Sequence, residues 1–113
     1  IIDYTDNVED IKQEINFLIK KIRKEHGIEI NIDDKTYSAL IEIVRRLRSI
    51  ENLSFGPAHL LDTLSIAHTL SSGKAITYNA LRQGIEASLT LSRIWDEDLR
   101  ARIEEVLRGF EER

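Results

Sequence analysis

Three arginines, Arg45, Arg46 and Arg48, form the densest set of side chains able to do chemistry. On a helix, Arg45 and Arg48 stand one turn apart on one face, while Arg46 points elsewhere. Guanidiniums grouped near a helix C-terminus grip phosphate or a partner carboxylate. The same spacing also describes a solvated helix end that complements the macrodipole, from which Arg48→Ala would remove little stability.

Other chemistry-bearing residues form weaker patterns. Ser72-Gly73-Lys74 resembles the end of a phosphate-binding loop. The full motif needs an earlier Gly and a following Ser or Thr, where this chain has His68 and Ala75. The glycine cradle is therefore missing, and a helix stop fits better. His59 and His68 fall half a turn out of phase on one predicted helix, which separates them as metal ligands. His26 sits at a helix end, where a cation suits the dipole. The carboxylate pairs Glu9/Asp10, Asp33/Asp34, Glu104/Glu105 and Glu111/Glu112 fit caps and solvated faces. No pocket is marked that would tune them for acid–base work. No serine lies in a nucleophile elbow. No catalytic residue is therefore assigned.

The elements that must position these residues are helical. Val8, Ile11, Ile15, Leu18 and Ile22 recur at helical spacing after Asp6 and Asn7, both good caps, and Gly27 ends the run. The first helix is expected over residues 7–25. Ile28 to Ile32 alternates and reads as an extended connector that places isoleucines in the core. Asp33 or Asp34 caps a second helix over 35–49, with Tyr37, Leu40, Ile41, Val44 and Leu47 inward. Pro57 suits the first turn of a third helix over 57–71, with Leu60, Leu61, Leu64, Ala67 and Leu70 inward. Thr77 caps a fourth over 78–92, carrying Tyr78, Leu81, Ile85 and Leu89, with Ile94 as a further apolar candidate just beyond it. A fifth starts near Asp96 and carries Leu99, Ile103, Val106, Leu107 and Phe110. Trp95 is expected to plug the corner before it. The fold class is all-α: a compact bundle of about five helices in one domain over 1–113, leaning towards orthogonal rather than up-down packing.

Composition narrows the function. The chain has 113 residues, 42% hydrophobic and 32% charged, which is ordinary for one globular domain. Without Cys it has no disulfide framework, thiol nucleophile or Cys-based zinc site, and a cytoplasmic setting is expected. The net charge of −4 makes nucleic acid an unlikely partner. Such binding would require the Lys20, Lys21, Arg23 and Lys24 cluster to join the Arg45 cluster. No apolar run approaches the ~20 residues of a membrane span. Ile1 to Tyr4 is short and β-prone and reads as the end of a strand whose partners lie elsewhere. With Ile rather than Met first, a fragment is expected.

The order of segments adds a resemblance. Val44-Arg45-Arg46-Leu47-Arg48 is followed by a loop ending in Gly56-Pro57-Ala58-His59. Next come a helix containing Leu64-Ser65-Ile66-Ala67-His68-Thr69-Leu70, the turn Gly73-Lys74-Ala75-Ile76-Thr77, and another helix. This resembles the C-terminal helical lid of MoxR-like AAA+ ATPases over nearly the whole chain. The resemblance implies a lid over ATP and Mg bound by a separate core, with the Walker motifs before Ile1. It further implies a ring of neighbouring subunits and a chaperone-like remodelling of a protein substrate. His59, Gly56, Arg48 and Arg45 would be the residues nearest the nucleotide. The family places an Arg near the start of the third lid helix, where this chain has only His59. The alternative is an independent helical protein–protein interaction module with no link to nucleotide. A lid would bare an apolar face to its core, whereas an independent module would be closed.

Overall fold

The computed structural model describes residues 4–90 and 96–110, and among these every regular element is a helix. They are α1 (Val8–His26), α2 (Asp34–Arg48), α3 (Pro57–Leu70), α4 (Tyr78–Ser88) and α5 (Glu97–Arg108). The all-α bundle expected from periodicity is thus the fold. Trp95 and Ile94 lie outside the described residues, as do Ile1 to Asp3 and Glu111 to Arg113.

Local chemistry sets the helix ends. Asn7, rather than Asp6, caps α1 by accepting from Asp10 N at 3.1 Å. Asp33, rather than Asp34, caps α2 through Thr36 N at 2.7 Å. That hydrogen bond holds the Asp33 carboxyl below its ordinary pKa. Thr77 and Asp96 cap α4 and α5 in the same way, each at 3.1 Å. Gly56 has no side chain with which to cap α3; Pro57 occupies the first turn, and the His59 side chain accepts from Gly56 N. Gly27, at φ 66°, closes α1 in the left-handed conformation and donates to Arg23 O at 2.9 Å. Helix α4 stops at Ser88, short of the 92 expected from its apolar spacing. Thr90 follows at φ 48°, which an α-helix cannot continue through.

The buried stripes meet in one core. Ile11, Ile15, Leu18 and Ile22 of α1 face Leu40, Ile43, Val44 and Leu47 of α2, with Leu60 and Leu64 of α3 beside them. Ile43 is fully buried although it lies outside the stripe read from the sequence. Leu70, expected inward, is 48% exposed, while Thr63, outside the expected stripe, is buried beside Leu60, Leu64 and Ala67. Thr63 satisfies its hydroxyl by donating to His59 O at 2.8 Å and lies 3.1 Å from Ser88 Oγ. This pairing sits where α3 and α4 approach most closely. A Cβ on Gly84 would lie 2.7 Å from Thr63 O, so only glycine permits that crossing. The connector between α1 and α2 behaves as read. Ile30 is buried, Ile28 and Ile32 pack against the core, and Asn31 O accepts from Ile76 N at 2.7 Å.

Candidate functional site

The functional candidates converge where the N-terminal segment, α1, the end of α2 and the start of α3 meet. Arg48 is the centre of this junction. It is the last residue of α2, yet its side chain is only 1% exposed. Nε donates to Phe55 O at 2.8 Å, and Nη1 donates to Thr5 O at 3.0 Å. Nη1 also meets Glu14 Oε1 at 3.3 Å, and Nη2 pairs with Glu14 Oε2. The guanidinium lies over the Tyr4 ring, 5.4 Å from its centroid. A planar fork with donors on both edges suits this task, because it meets a carboxylate bidentately and still reaches two carbonyls.

Glu14 is itself only 18% exposed, so the pair exchanges charge–water contacts for charge–charge contacts in a low-dielectric setting. The tertiary arrangement therefore corrects the picture of Arg48 as a solvated helix end. Its Nε, its Nη1 and one N–H of Nη2 are engaged internally, and a phosphate gripped by the whole guanidinium would have to displace Glu14 or the two carbonyls.

Gly56 lies beside it. A Cβ there would come within 2.6 Å of Tyr4 Oη and within 2.7 Å of Tyr4 Cε2, so the Tyr4 ring fills the space a side chain would need. The glycine thus seats the N-terminal segment against the start of α3. His59, one turn into α3, stacks on Phe55 with ring centroids 5.8 Å apart and an interplanar angle of 21°. Its Nδ1 accepts from Gly56 N at 3.3 Å. An accepting Nδ1 puts the proton of the neutral ring on Nε2, leaving that N–H as the ring's one donor for an outside group.

Arg48, Gly56 and His59 therefore share one junction, whereas Arg45 stands apart from it. Arg45 donates from Nε to Glu42 Oε2 at 3.1 Å and pairs with Glu42 Oε1 through Nη2. Arg46 reaches the same carboxylate at 3.3 Å and lies over the Phe110 ring, 5.3 Å from its centroid. The Arg45 hydrogen bond is the main cause holding the Glu42 carboxyl below its ordinary pKa; Glu42 in turn raises that of Arg45. Together these four residues offer a nucleotide one imidazole N–H and a half-neutralised arginine. They do not make a phosphate site by themselves.

The other motifs resolve into structure. Ser72 (φ 53°) and Gly73 (φ 79°) terminate α3, and the amides of Ser72, Gly73 and Lys74 donate to Thr69, His68 and Ser71 carbonyls. No amide of that turn is left to cradle a phosphate. The two basic clusters do not merge. Arg48 meets α1 at Glu14, and Lys20 to Lys24 lie roughly 10–15 Å further along the helix. Among the described residues no group of three His, Asp or Glu side chains is placed to hold a metal ion. Nor is any helix there long and apolar enough to cross a membrane.

Sequence reasoning missed Glu14 and Tyr4. Glu14 had a signal, because it falls in phase with the buried positions Ile11, Ile15 and Leu18. Arg48 likewise continues Leu40, Ile43, Val44 and Leu47 at the next stripe position. Two opposite charges in phase with two apolar stripes are a pattern for a buried ion pair. Tyr4 carried no such signal. No protein-family model, curated protein or solved structure matches the chain.

Proposed function

We propose that this chain is the helical lid of an AAA+ ATPase, coupling ATP binding and hydrolysis in a separate core to the remodelling of a protein partner. The observation that carries the reading is the Arg48 junction. It ties the N-terminal segment, at Thr5 O and Tyr4, to the start of α3, at Phe55 O and Gly56. In a lid, the N-terminal segment leads in from the core and the start of α3 faces the nucleotide. A buried arginine holding both makes them move as one body. ATP and Mg belong to the core in this reading, and the part played by these residues is mechanical. His59 Nε2 is the one ring donor they offer where the family has an arginine. The reading also implies a cytoplasmic ring of neighbouring subunits.

A second reading, an independent helical interaction module, is favoured by a different observation. Among the described residues the large exposed hydrophobics are Val8, Phe17 and Leu70. Val8 and Phe17 lie half a turn out of phase on α1, so they do not form a continuous apolar face. A lid tolerates this, because interfaces between domains that move against each other are comparatively polar.

One experiment separates the two readings: ATPase activity and oligomeric state of the longest natural chain containing this segment, beside the 113-residue piece. The lid reading expects the long chain to hydrolyse ATP and assemble while the piece does neither. A natural chain that is monomeric and lacks ATPase activity would overturn it in favour of the module.

A further inference from the structure

We infer that the face of α1 formed by Phe17, Lys20, Lys21 and Lys24 is a docking site for an acidic peptide segment carrying an apolar anchor residue. The four residues stand at i, i+3, i+4 and i+7, so they share one face of the helix. Phe17 is 65% exposed, the most exposed large hydrophobic described. An aromatic ring left in water on a helix whose other apolar residues are mostly buried adds nothing to the fold. With the lysines and Glu25 it lines an open hollow on the surface.

The charge on this face is unspent. The neighbouring Arg23 pairs with Glu29 at 3.4 Å, and Lys12 pairs with Glu9, but no ion pair forms at Lys20, Lys21 or Lys24 among the described residues. Long lysine stems flanking an aromatic ring offer apolar contact at the base and ammonium groups at the rim. The complementary ligand has one or two apolar side chains over Phe17 and carboxylates on either side.

The size of the patch selects a peptide over a nucleic acid or a membrane. From Phe17 to Lys24 it runs roughly 10 Å along the helix, with Glu25 at its edge. The other basic cluster, Arg45 and Arg46, is committed to Glu42. A polyanion that gains affinity by neutralising many phosphates finds only the three lysines of this face close together there, on a chain of net charge −4. A short acidic segment needs no more than that.

The test is amide chemical-shift perturbation of the 113-residue chain, titrated with a short blocked peptide that has a central leucine pair flanked by glutamates. The parallel probes are a single-stranded oligonucleotide and phosphatidylserine vesicles. The inference expects saturable shifts centred on residues 17–24. It expects them to weaken at least about tenfold in Phe17→Ser and in the Lys20→Gln/Lys21→Gln/Lys24→Gln variant, each with an unchanged melting temperature. Three results would overturn it: no saturable shift up to about 1 mM peptide, equal affinity in the variants, or tighter binding to the oligonucleotide or the vesicles than to the peptide.

Discussion

Replacing Arg48 by alanine tests the account of the junction most directly. The substitution leaves Glu14 as a charge only 18% exposed with its partner gone, and strips a donor from each of Phe55 O and Thr5 O. Removing one member of a buried ion pair costs about 3–5 kcal/mol. Residual exposure of Glu14 places this case at the low end. Each abandoned carbonyl adds up to about 1 kcal/mol, because water reaches the exposed Thr5 side. Packing over Tyr4 is lost as well. A total of about 3–5 kcal/mol follows, which for a domain of this size lowers the melting temperature by roughly 12–20 °C. Arg48→Lys keeps the charge but cannot meet Glu14 and two carbonyls at once, so about half the loss is expected. Adding Glu14→Gln to Arg48→Ala is expected to recover part of it, giving a non-additivity of about 1–3 kcal/mol in a double-mutant cycle. Circular dichroism melts of the wild type, Arg48→Ala, Glu14→Gln, the double variant and Arg48→Lys provide the measurement. A drop of less than about 3 °C for Arg48→Ala, with no coupling to Glu14, would refute the buried-junction argument and return Arg48 to the solvated helix end.

Gly56→Ala forces the Tyr4 ring off the start of α3, with an expected cost of about 1–3 kcal/mol by denaturant unfolding. In a Tyr4→Ala background the same change is expected to cost clearly less, and equal costs in both backgrounds would show that Tyr4 is not what excludes the methyl. Gly84→Ala isolates a helix crossing. Helix propensity alone favours alanine by about 1 kcal/mol, but the methyl meets Thr63 O at 2.7 Å, so a net loss of about 2 kcal/mol is expected, and a stabilised variant would contradict the close approach. Glu42 supplies a pH dependence. Its pKa is lowered in the folded protein by its hydrogen bonds to Arg45 and Arg46, so its contribution is complete above the ordinary glutamate pKa. That contribution is lost as pH falls from there through the lowered value. The arginines are about half exposed, so Glu42→Gln should cost at most about 1 kcal/mol at neutral pH and flatten the acid limb of a stability-versus-pH curve; an unchanged limb would count against the pairing.

Much of the fold was legible because its signals are local. Helical spacing of apolar residues, caps such as Asn7, Asp33, Thr77 and Asp96, Pro57 at a first turn and Gly27 at a helix stop each act within a few residues. The same locality explains the errors. Leu89 extends an apolar series, but a left-handed Thr90 ends the helix; Leu70 fits the stripe of α3, but no packing among the described residues buries it.

The fate of the arginines was decided only in three dimensions. Sequence spacing put Arg45 and Arg48 on one helical face and suggested a shared role. The tertiary structure gave Arg45 to Glu42, three residues away on its own helix. It gave Arg48 to Glu14, Thr5 and Phe55, which stand 34, 43 and 7 residues away. Charge type and helical phase are properties of the chain. Whether a guanidinium faces water or a buried carboxylate depends on which distant segment packs over it, and that is fixed only when the helices dock.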